Sequence, residues 1–110
     1  MDAVFKKGSV LSLDNMIEYA ADGIVSKQVL KNKAGNITLF AFDQGQGLSE
    51  HTAPFDAFVQ ILDGEAEIII GGNPLRLKKG ESVIMPANVS HALNAVMPFK
   101  MLLTMIREVI

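Results

Sequence analysis

The chain contains no cysteine and no tryptophan, and only two of its 110 residues are histidine. Without thiols it has no disulfides, no thiolate metal site, no iron–sulfur cluster and no cysteine nucleophile. Its longest apolar runs, such as Ile68-Ile69-Ile70 and Met101-Leu102-Leu103, are far too short to span a bilayer as a helix. The first residues, Met1-Asp2-Ala3-Val4-Phe5-Lys6-Lys7, lack the apolar stretch that follows the charges of a secretory signal. The expectation is a cytoplasmic protein with no membrane partner. Ten basic residues are scattered among twelve acidic ones, and the only basic clusters, Lys31/Lys33 and Lys78-Lys79, sit beside turn residues. A basic groove for nucleic acid is therefore excluded as a working reading.

With 49% hydrophobic and 20% charged residues the chain is able to pack an interior, and its length suits one domain. For so small a domain, a mean hydropathy of +0.28 points to apolar surface covered by a partner. Residues 1–22 form an irregular N-terminal segment in which Asp14 is placed to cap one helical turn through Asn15, Met16, Ile17 and Glu18. From residue 23 to 110 the pattern is all-β. Short runs at 24–30, 36–42, 55–62, 65–70, 81–85, 89–96 and 99–106 are separated by turn residues, as in a sandwich or barrel. Asp63-Gly64 predicts a tight hairpin because such turns need positive φ. Gly71-Gly72-Asn73-Pro74 and Lys79-Gly80 predict two further reversals, and Pro86-Ala87-Asn88 breaks the ladder between two strands.

Chemistry near neutral pH rests on His51 and His91, the only imidazoles. A catalytic metal site takes about three protein ligands, so two histidines are one short. In an extended segment Ala53 stands on the face of His51, while Val89 and Leu93 stand on that of His91. Two readings stay open: hydrogen-bonded imidazoles lining an apolar interior, or metal ligands. Neither Ser49 nor Ser90 sits in a Gly-x-Ser-x-Gly elbow. Gly45-Gln46-Gly47 precedes a strand and so makes no phosphate cradle. Glu65 and Glu67 share a strand face and read as solvated, and the six methionines read as flexible core filler.

The segment from Gly80 to His91 resembles the second motif of the cupins: glycine, five residues, proline, one residue, glycine, two residues, histidine. Asn88 replaces the last glycine, a mild departure because asparagine tolerates positive φ. The asparagine that often follows four positions after the histidine is Ala95 here, with Asn94 one residue early. In the first motif Gly45, His51 and Gly64 fall in register, whereas the second histidine is Ala53 and the glutamate is Ala57, or Phe58 at the longer spacing. Gln60 has the wrong parity to substitute. The resemblance covers residues 37–107 and implies a small single-domain cupin of the conserved-barrel type, a jelly-roll β-barrel or double-stranded β-helix.

That resemblance implies a degenerate metal site, weak or absent, at His51 and His91, the same two residues that would contact a ligand. The resemblance commits to no particular cofactor; weak occupancy would involve a divalent transition metal: zinc, nickel, manganese or iron. The leading expectation is a stand-alone domain that binds a small, largely apolar molecule inside the barrel. The alternatives are a metal-dependent oxygenase or isomerase using both histidines, and a structural or regulatory dimer with a filled barrel. A homodimer is expected in any case, because both parities of Met101-Leu102-Leu103-Thr104-Met105-Ile106 are apolar.

Overall fold

The computed structural model describes residues 5–107. Nine strands follow one short 3-10 turn at Leu13–Asn15: β1 Ile24–Asn32, β2 Gly35–Phe42, β3 Gly47–His51, β4 Phe55–Asp63, β5 Glu65–Ile70, β6 Asn73–Lys78, β7 Ser82–Met85, β8 His91–Asn94 and β9 Phe99–Arg107. They form two antiparallel sheets, one of order β1-β2-β9-β4-β7 and one of order β3-β8-β5-β6. The two sheets face each other as a jelly-roll barrel. No helix among the described residues is long and apolar enough to cross a membrane.

Alternation with period two sends one face of each strand inward. Ala57, Val59 and Ile61 of β4, Ala66 and Ile68 of β5, Leu93 of β8 and Met101 of β9 are all buried in one core between the sheets. The rings of Phe42 and Phe99 stack at its base, 4.6 Å between centroids and 8° from parallel. The opposite parity of the five-stranded sheet supplies a second core. There Leu39 and Ala41, with Leu102 beside them, pack under Ile17, Leu13, Met16 and Tyr19 of the N-terminal segment. The described residues of that segment form no strand ladder and are tied down by side chains instead. Lys27 Nζ donates to the Met16 carbonyl, Lys100 Nζ donates to that of Asp14, and the Tyr19 hydroxyl donates to Asp63 Oδ2 at 2.6 Å. Burial, then the hydrogen bond to Asp63 and the charge of its carboxylate, push the Tyr19 phenol well above its ordinary pKa.

Three expectations change on contact with the structure. The helical turn is three residues long and begins after Ser12; Asp14 lies inside it rather than capping it. Asp63-Gly64 is not a hairpin, because β4 pairs with β7 and β9 while β5 pairs with β6 and β8. It is a corner at which the chain changes sheets, and Gly64 has the anticipated positive φ of 74°. Strand β6 is not among the expected runs, whereas β3 is the strand that Gly45-Gln46-Gly47 is expected to precede. Strand β6 is an edge with Pro74 near its start and only Leu77 buried, so its composition of Pro, Arg and Lys hides its extended backbone. The two-residue turn at Gly71-Gly72, with both φ values positive, closes the hairpin from β5 to β6 as expected.

At the Gly64 corner a Cβ would run into the Pro98 carbonyl oxygen, in addition to the positive-φ cost. Gly64→Val is therefore expected to prevent folding or lower the denaturant midpoint severely. Asp63→Val loses chiefly the bond from Tyr19 and should cost about 1 kcal/mol. Equal midpoints for the two variants in urea unfolding would contradict this corner.

Candidate functional site

His51 ends β3 and His91 begins β8, and the two residues are register partners across that pair of strands. Their rings lie 4.3 Å apart between centroids, inclined at 67°. His91 is buried, 7% exposed, whereas His51 stands exposed at the rim. The loop before His91 is fixed by its backbone. Asn88 takes a φ of 64°, the left-handed conformation expected of the residue in a glycine's place, and its N–H donates to the Ala53 carbonyl at 2.9 Å. The Ala87 N–H donates to Asp56 Oδ1 at 2.9 Å, and the Gly71 N–H donates to the Ser90 carbonyl at 2.8 Å. His91 is thus delivered to the barrel by a loop held from both sheets.

Both imidazoles use Nδ1 in the same way, toward the carbonyl two residues earlier in the chain. His51 Nδ1 is 2.7 Å from Ser49 O, and His91 Nδ1 is 3.3 Å from Val89 O. A carbonyl only accepts, so in the neutral rings Nδ1 carries the proton and Nε2 keeps its lone pair. Burial lowers the His91 pKa below its ordinary 6.5; the bond to Val89 opposes this, and the proximity of His51 adds to it.

The rings border a cavity of about 200 Å³ whose other walls are Phe40, Leu48, Ala53, Ala57, Met85, Leu93, Met101, Leu103 and Met105. Leu48 is on this wall because the β3–β8 register shifts between Leu48 and His51. Strict alternation would have placed Ser49 there, so the sequence alone did not find Leu48. The contributions of Phe40, Met85, Leu103 and Met105 were legible only as inward parity, since nothing in their spacing ties them to a histidine. Ala53 and Ala57 stand where the family pattern puts a histidine and a glutamate, and both line the cavity as methyl groups. Gln60 has the opposite parity to buried Ala57, Val59 and Ile61 and does not reach it. Glu65 and Glu67 lie on the other sheet, paired with Arg76 and Asn94 respectively.

The donor set does not fit the three-histidine, one-carboxylate site that a metal-dependent cupin would require. Among the described residues no three histidine, cysteine or carboxylate side chains converge. Nor, among the described residues, is any side-chain nitrogen or oxygen buried without a partner.

The cupin-domain family model matches residues 38–106. A conserved protein of unknown function from Streptococcus pyogenes is similar over 96% of this chain and 92% of its own, at 35% identity and a TM-score of 0.90. A cupin 2 conserved barrel domain protein from Leptotrichia buccalis is 40% identical over 88% of this chain, which spans 47% of that protein, at a TM-score of 0.86. A cupin superfamily protein from Desulfitobacterium hafniense is 27% identical, covering 94% of this chain and 95% of its own, at a TM-score of 0.88. Comparison with curated proteins gives no match.

Because the native His91 imidazole takes up a proton only below pH 6.5, the unfolded chain binds more protons just under that pH. Stability is therefore expected to fall as pH drops through about 6.5 and to level off below the native pKa. The His91→Gln variant should lose that share of the acid sensitivity. Proton NMR of the His91 ring measures this directly, and a midpoint at or above 6.5 would refute it.

Proposed function

The chain belongs to the cupin family, and we propose that its barrel binds a small, largely apolar molecule oriented by the imidazoles of His51 and His91. The observation that carries this reading is the cavity itself: about 200 Å³ of space, apolar except for two adjacent rings at its mouth. A cavity of about 150 Å³ lined by aliphatic groups accepts benzene in another protein, so this one suits a guest of roughly ten non-hydrogen atoms. The two Nε2 atoms supply the few convergent polar contacts by which such a pocket fixes orientation. Indole is a suitable probe. Titration should shift amide resonances around the cavity, and Ala57→Leu, which fills it, should abolish the shifts. Native mass spectrometry of tag-free protein tests for a co-purifying guest. The absence of both responses would overturn the reading.

The oxygenase or isomerase alternative needs a third histidine or carboxylate ligand, which the described residues do not bring to the site. Divalent metals should accordingly bind weakly. Restoring the pattern with Ala53→His and Ala57→Glu together is expected to raise zinc or nickel affinity by orders of magnitude in calorimetric titration. Nanomolar zinc binding by the parent chain would contradict a degenerate site.

The homodimer remains part of this proposal, with a narrower basis. One outward residue of β9, Leu102, packs in the core beneath the chain's own N-terminal segment. Exposed on that sheet face are Phe58, Ile84, Ile106 and Leu30, at 37%, 62%, 60% and 41%. Sedimentation at micromolar concentration should give a dimer that Ile84→Glu dissociates, and a monomeric parent would rule it out.

A further inference from the structure

Ala57, the position of the family's glutamate, lies directly opposite Met85 on one side and Met105 on the other. All three point inward and line the same cavity as His51 and His91. Directly opposed residues in an antiparallel ladder hold their Cβ atoms about 5 Å apart. A methyl group at residue 57 therefore leaves the space between two long, flexible thioethers open. The place of a hard carboxylate oxygen has passed to two soft sulfur donors.

From this arrangement we infer that the cavity is a binding site for a soft monovalent cation, copper(I) or its analogue silver(I), held by His51, His91, Met85 and Met105. The imidazoles are already in the tautomer that ligation requires, since each Nδ1 donates to a backbone carbonyl and leaves the Nε2 lone pair available. Their rings, 4.3 Å apart between centroids, are close enough to share one ion. Thioether and imidazole together select copper(I) over the harder divalent ions.

Charge decides in the same direction. No carboxylate lines the cavity, so every ligand in the set is neutral and the bound ion keeps its full charge among apolar walls. Because the desolvation cost of an ion grows with the square of its charge, a divalent ion is penalised about four times as heavily as a monovalent one. A neutral His2Met2 set thus suits a +1 ion and disfavours zinc. Binding of this cation does not depend on an organic guest, although the two would compete for the same space.

Anaerobic competition with the copper(I) chelator bicinchoninate is expected to show one copper(I) per chain, and zinc should not displace it. The Met85→Leu/Met105→Leu double variant keeps the volume and apolarity of the walls. Its copper(I) affinity should fall by roughly tenfold or more while its circular dichroism stays that of the folded barrel. With methyl-labelled methionine, one equivalent of silver(I) should move the Met85 and Met105 signals and leave those of Met16 and Met97 in place. Unchanged copper(I) affinity in the double variant, silver shifts confined to other methionines, or displacement of copper(I) by zinc would each overturn the inference. Loss of indole binding in the parent would instead count against the organic guest alone.

Discussion

Between Ile61 and Glu65 the chain leaves one sheet and enters the other, and the Pro98 carbonyl occupies the volume that a Cβ at residue 64 would need. This contact brings the start of β9 against the corner, which seats buried Phe99 on Phe42 at the base of the core. With the base closed, the inward faces of β4, β5, β8 and β9 meet across a single apolar layer. At the other end of that layer the walls shrink to alanine at residues 53 and 57, and the cavity opens there. Closure at one end and truncation at the other come from the same alternating strands, one ending in large aromatic side chains and the other in small aliphatic ones.

The site inherits its precision from backbone rather than from side-chain networks. The left-handed turn at Asn88, its bond to the Ala53 carbonyl and the cross-strand pairing with β3 place His91 before any ligand arrives. For the proposed guest, preorganisation of this kind would limit the ordering cost of binding to that of the guest itself. It also means that the two imidazoles hold their positions although residues 53 and 57 offer only methyl groups beside them.

Much of the architecture was legible because burial imposes period two on most strands and because glycine, asparagine and proline mark the turns. The Gly80–His91 spacing identified the family, and with it a pairing of His51 with His91 that composition alone would not suggest. Three of the gaps share a cause: each needed non-local information. Whether Asp63-Gly64 folds a hairpin back on itself or passes to a facing sheet depends on partners supplied by residues 82–107. The shift that turns Leu48 toward the cavity lies in the pairing of β3 with β8, not in the residues of β3. The flanking of Ala57 by Met85 and Met105 likewise exists only once three strands are in register.

Tyr19 is the only tyrosine of a chain without tryptophan, and it sits in the N-terminal segment with its hydroxyl on Asp63. Ultraviolet emission from this protein is therefore dominated by one point on the cover over the outer sheet. Backbone circular dichroism, by contrast, averages over the strands beneath. Side chains rather than a ladder hold the cover, which places it among the parts of a fold that open with the least free energy. Heating should then give two curves that need not coincide: an early optical change as the cover lifts, and a later loss of β signal as the barrel melts. Agreement of the two would mean that cover and barrel form one cooperative unit.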